Sequence, residues 1–203
     1  HKAPSSWTSI VPLIQDHWGQ YSPYNNLCPY LTGTTNRAVT GCVATSGSEA
    51  VYYYHKDNPD TLMAATPTYA DDDAPVTVSL PRGTPVKWDL MQLSYSSNIT
   101  YPVEMTNAVA TLLYAVGTAT HLNYGSSTSG YIADLVDTYY DYFNLSSTSL
   151  YQSSIAQDTW EEMIYNDLKK GHPIVYTGVT TDGKSGHAFI LDGYSNSRYH
   201  FNF

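Results

Sequence analysis

An α+β fold is expected for this chain because helical segments come mainly first, short strands gather at the end, and no internal repeat interrupts that order. At 203 residues the chain suffices for one good core and is short for two independent ones, so a single domain spanning residues 1–203 is expected. Residues 1–14 show no periodicity and read as a leader strand or arm. The first helix lies in Thr40 to His55, TGCVATSGSEAVYYYH: Thr40 can cap it, Gly41 permits a tight start, and Cys42 falls in its first turn. Beyond Cys42 this stretch is Ala, Val, Ser, Gly and Tyr with Glu49 as its only acid, so the helix should be buried nearly all round.

His55 to Pro59 breaks the helix, and Asp71 to Asp73 reads as a solvated acidic turn because it lacks the spaced ligands and Gly of a calcium loop. Val76 to Leu80 and Thr84 to Trp88, separated by Pro-Arg-Gly, predict a hairpin. Val109, Leu112, Leu113 and Val116 recur at helical spacing in a core helix beginning at Val103. The Gly/Ser-rich loop Tyr124 to Gly130 is a connector or a cleft wall, and it leads into a helix with Ile132, Leu135, Val136, Tyr139 and Phe143 on one face. Asp158-Thr-Trp-Glu161 predicts a capping box for a helix that buries Trp160, Ile164 and Leu168 and stops at Gly171. A meander of Ile174 to Val179, His187 to Leu191 and Tyr199 to Phe203 closes the chain.

Composition excludes several function classes. With 18 acids against 9 bases the net charge is -9 and no basic stripe exists, so phosphate backbones would be repelled and nucleic acid is not an expected partner. No apolar run approaches the ~20 residues of a membrane span. Twenty tyrosines against nine Lys and Arg, with abundant Ser, Thr and Asn, suggest an exported protein. No His, Cys or acid spacing suits a metal, and no cofactor is called for.

The chemistry-bearing residues stand far apart in sequence. A thiol at a helix start meets unpaired N–H groups and the positive end of the helix dipole, which favour thiolate over thiol, so Cys42 is the candidate nucleophile and must stay unbridged, leaving Cys28 a lone thiol. Gln20, upstream of that helix, carries a carboxamide that could donate to a developing oxyanion. If the last hairpin is symmetric about Gly-Tyr-Ser-Asn, His187 opposes Asn202 on one face, and the carboxamide would fix the imidazole as a base for the thiol.

Trp18-Gly-Gln20 with Pro23-Tyr-Asn25, Thr40-Gly-Cys-Val-Ala-Thr45, Ala108 to Tyr114, Asn123-Tyr-Gly125, Pro173-Ile-Val-Tyr176, Gly186-His-Ala-Phe189 with Asp192-Gly193, and Tyr199-His-Phe-Asn202 together resemble, in order, the streptopain family of papain-like bacterial cysteine peptidases. The resemblance runs from about Pro12 to the end. It implies a papain-like two-lobed fold with the Cys on a helical lobe and the His and Asn on an antiparallel sheet lobe. It further implies a secreted endopeptidase made as a zymogen with an inhibitory propeptide and acting on protein or peptide substrates, with Cys42 as nucleophile, His187 as base, Asn202 as orienter and Gln20 in the oxyanion hole beside the Cys42 N–H. Ser185, Gly186, Tyr124 and Gly125 are the positions expected to contact substrate. The family usually has Trp after the orienting Asn, where this chain has Phe203, and continues into a Gly/Trp-rich turn and further strands that the 203 residues do not include. A non-catalytic peptide- or glycan-binding module and a cysteine amidase acting on cell-wall peptides are the alternative functions.

Overall fold

The computed structural model describes Pro4 and residues 6–183 and 185–203. Four α-helices, α1 (Cys42–Tyr53), α2 (Val103–Ala119), α3 (Leu135–Phe143) and α4 (Gln157–Lys169), precede three strands, β1 (Ile174–Val179), β2 (Gly186–Ser195) and β3 (Arg198–Asn202). The strands form an antiparallel sheet in the order β1-β2-β3. Helices followed by a meander is the α+β arrangement that the sequence predicts.

Helix α1 lies between α2 and α3 on one side and the sheet on the other, in contact with α2, α3, β1 and β2, while α4 packs directly on β1 and β2. Being covered on all sides, it buries every residue from Val43 to Val51, which explains its lack of a polar face. Gly47 is where α1 meets its neighbours most closely: a Cβ there would lie 2.8 Å from Leu135 Cδ2 and 3.2 Å from Val116 Cγ1. Val43, Ala44 and Val51 join Val109, Leu112, Leu113 and Val116 of α2, Phe143 of α3 and Ile190 of β2 in the main core. Leu113 has no exposed surface. Leu113→Ala should therefore cost about 2–5 kcal/mol, read from denaturant unfolding, with the spread set by how far the cavity collapses.

The amino-terminal arm completes the sheet's far end. Ile10 bridges Tyr194 of β2, the Leu13 N–H donates to Asp192 O (3.0 Å), and Trp7 stacks on Tyr165 of α4 at 4.2 Å. Residues 1–3 and 5 of the expected arm lie outside the described residues.

Three local expectations are corrected. Val76 to Leu80 and Thr84 to Trp88 do not pair with each other: Val78 bridges Tyr69 and Pro85 bridges Thr61, because prolines at 81 and 85 remove the N–H groups a hairpin ladder would need. The capping box on α4 does not form, since the helix begins one residue before Asp158 with Ala156 at the cap, and Glu161 instead accepts from Gln157 Nε2 (2.6 Å). Thr40 does not cap α1. Gly41 occupies the cap position and the Thr40 hydroxyl faces that of Thr45 (3.1 Å).

Candidate active site

Cys42 opens α1 and is half-buried, with its thiol free. Its position is fixed by the residue before it. Gly41 holds φ 86° and ψ 146°, a backbone region almost confined to glycine, and a Cβ there would lie 2.9 Å from Thr128 Cγ2 and 3.2 Å from Thr128 O. The loop bearing Thr128 is tied to the same turn: the Thr128 hydroxyl donates to Val39 O (2.6 Å) and the Val39 N–H donates to Gly125 O (3.2 Å). From the other side the Thr40 N–H donates to Gln20 O (3.1 Å), so the Gln20 segment is fastened two residues before the thiol. Cys28 sits elsewhere, fully buried, and burial pushes its thiol up to about 12.

His187 is exposed near the start of β2, opposite Gly178 of β1. Its ring is parallel to that of Phe203, with centroids 6.2 Å apart and 5° between planes, and Phe189 adjoins both. The strand carrying His187 packs against the helix that begins with Cys42.

Asn202 does not oppose His187. It pairs with Ile190, because Asn196 and Ser197 both adopt left-handed conformations (φ 52° and 60°) and make a two-residue turn, and a bulge at Asp192 then offsets the ladder. Alternation across the pleat turns Asn202 to the face of Ile190 and leaves Phe203 on the face of His187. The buried Asn202 carboxamide has other partners: its Oδ1 lies 3.0 Å from His17 Nδ1, and its Nδ2 donates to Asp16 O (3.1 Å).

Comparisons with known proteins identify the family. The sequence matches the Peptidase C10 family over residues 18–203. The chain belongs to that family. It is 28% identical over 210 residues to thiol protease/hemagglutinin PrtT of Porphyromonas gingivalis, spanning 96% of this chain and 23% of that protein. It is 27% identical over 206 residues to streptopain of Streptococcus pyogenes, spanning 92% of this chain and 50% of that protein. The chain thus covers from about a quarter to half the length of these relatives. Active wild-type interpain A, a cysteine protease of Prevotella intermedia, superposes with a TM-score of 0.86 at 29% identity, over 99% of this chain and 84% of that one. A prointerpain A fragment superposes with a TM-score of 0.84 over 99% of this chain and 64% of that one. The α+β architecture is accordingly papain-like.

Within this C10 domain two of the expected substrate positions serve a structural role instead. Tyr124 is buried, its N–H donating to Asp71 Oδ2 (2.7 Å), and Gly125 is buried with its N–H on Thr128 Oγ1 (3.1 Å). Both brace the turn before Cys42, and Asp71 is a tie in that brace. Ser185 and Gly186 are exposed beside His187. Ser185 is held by the Thr180 hydroxyl, which lies 3.1 Å from its N–H, and by the Thr180 N–H on its carbonyl (2.8 Å).

The sequence reading missed a cluster beneath the site. Asp16 and Glu49 are 3% and 2% exposed, and the two carboxyls are within hydrogen-bonding reach of each other. Glu49 Oε1 accepts the Trp18 N–H (3.1 Å). Burial raises both carboxyls, Asp16 up to about 7 and Glu49 up to about 9, and the negative charge of Asp16 adds to the rise at Glu49. Asp192, fully buried in the bulge, receives the Ile14 N–H (3.0 Å) and lies 2.6 Å from His200 Nδ1. The signal for this cluster was available in Glu49, the lone acid of an otherwise water-free helix.

Proposed function

We propose that this C10 domain is a secreted cysteine endopeptidase, made as a zymogen, whose nucleophile is Cys42. The observation that carries the reading is the half-exposed thiol at a glycine-fixed helix start, while the chain's other thiol is sealed in the core. The Cys42 sulfur attacks the scissile carbonyl carbon, and the carbonyl electron pair moves onto oxygen. The Cys42 N–H and the Gln20 carboxamide supply the hydrogen bonds that stabilise this oxyanion. As the C–N bond breaks, His187 gives its proton to the leaving amine and a thioester remains. Water, deprotonated by His187, then attacks the thioester and releases the thiolate.

The Phe203 ring lies parallel to the imidazole, with centroids 6.2 Å apart, at the place where the family usually carries Trp. Asn202 has no part in orienting His187, its carboxamide being engaged by His17 and Asp16. The propeptide is proposed on the strength of the prointerpain A relative, and export on the hydroxyl-rich composition.

Treatment with a thiol-directed epoxide followed by peptide mapping tests the assignment. Cys42 should be labelled stoichiometrically and Cys28 not at all in the folded chain. Labelling at neither cysteine, or at Cys28 alone, would reject Cys42 as nucleophile and favour a binding module.

A further inference from the structure

We propose that Asp16 and Glu49 share a buried proton that acts as a pH-sensitive tie between the segment leading to Gln20, the Cys42 helix and the last strand. Three parts of the site converge on residues Asp16–Trp18. Glu49 binds this segment to α1 through the Trp18 N–H, and Asn202 binds it to β3 through Asp16 O and His17 Nδ1. One carboxamide and two buried acids thus meet at this junction. Asp16 Oδ1 is buried and receives no hydrogen bond from a fixed donor of the protein. A proton on Glu49 supplies that missing donor. Without it, two carboxylates would face each other out of water, which is costly unless one neutralises.

The surroundings do not compensate a second negative charge. Asp192 of β2 adds negative charge beside Asp16 and is itself matched by His200 of β3. Tyr52 of α1 and Tyr24 are the other titratable groups that sense this charge, and His17 is engaged with Asn202. Both carboxyls are raised above the ordinary carboxylate value of about 4. A raised folded-state value means that the stability contributed by the shared proton is fully present below pH ~4 and is lost as pH rises through that folded-state value. Asp16 and Glu49 are thus positioning residues, since they touch neither substrate nor the reacting atoms.

Glu49→Gln mimics the protonated acid: its carbonyl oxygen can still accept the Trp18 N–H, and its amide permanently donates to Asp16. Denaturant unfolding of the full chain in a Cys42→Ala background, with and without Glu49→Gln, tests the tie at several pH values between 5 and 7. Each proton retained on folding changes the folding equilibrium constant by about tenfold per pH unit. The ratio of folding constants, Glu49→Gln over Glu49, should therefore rise about tenfold per pH unit across this range. A ratio independent of pH overturns the proposal, because a merely structural glutamate would shift stability equally at every pH.

Should Glu49→Gln fail to fold, Asp16→Asn is measured in the same way with the same expectation. Independently, the infrared spectrum of the parent chain at pH 6.5 should contain the C=O stretch of a protonated carboxylic acid, and a spectrum with carboxylate bands alone overturns the proposal. None of these readouts involves peptide hydrolysis, so they stand or fall apart from the proposed peptidase reading.

Discussion

Cys42→Ala is expected to lower turnover of a protein substrate by on the order of 10⁵–10⁶-fold while changing unfolding free energy by no more than about 1 kcal/mol. The size of the first effect follows from the proposed mechanism, in which the sulfur forms the covalent intermediate and is what the imidazole activates. The small size of the second follows from the place of the side chain, which is half-exposed at the end of α1, where Ala fits as readily as Cys. Turnover by purified variant and parent, measured beside their denaturant curves, checks both. Proteolysis retained at even a hundredth of the parental rate would reject the thioester mechanism.

Gly41→Ala is the second large effect, and it should damage stability and catalysis together. Its backbone, at φ 86° and ψ 146°, lies where a side chain costs roughly 1–3 kcal/mol in strain. The added methyl also meets Thr128 Cγ2 at 2.9 Å and Thr128 O at 3.2 Å, and the second of these is backbone, held in the loop by hydrogen bonds to Val39. Relief therefore has to come from movement of the turn that carries Cys42. A displacement of about 1 Å at a reacting group can cost 10²-fold in rate. A fall of that order in kcat, with a loss of about 2 kcal/mol or more in unfolding free energy, is the expected outcome. Parental kcat in a folded Gly41→Ala chain would show that the glycine does not set the nucleophile's position.

The expected set of site residues divides on physical grounds. Three local features follow short-range rules: a glycine fixes the helix start at Cys42, a backbone hydrogen bond from Thr40 fastens the Gln20 loop, and the start of β2 leaves His187 exposed. Asn202 was misread because register is not a short-range property. A symmetric hairpin would put it across from His187, but left-handed Asn196 and Ser197 shorten the turn and the bulge at Asp192 offsets the remainder. The bulge, in turn, is held by contacts with other elements, the Ile14 N–H and His200 on the Asp192 carboxyl. The burial of Tyr124 and Gly125 escapes the sequence for a related reason. A Gly/Ser-rich loop reads as mobile, yet this one is pinned to Val39 and Asp71.

The sequence alone determined the α+β order of elements, the burial of the Cys42 helix and the strands of the final sheet, because each depends on periodicity and punctuation within about 15 residues. Only the tertiary structure decided which side chains face His187, what Asn202 binds, and that Asp16 and Glu49 meet in the dark beneath the site. Those outcomes rest on pairing and packing between residues well apart in sequence, from the His187–Phe203 ring pair through the Trp18–Glu49 bond (31 apart) to the Asn202–Asp16 bond (186 apart). At such separations the chain carries no local pattern from which a contact can be read.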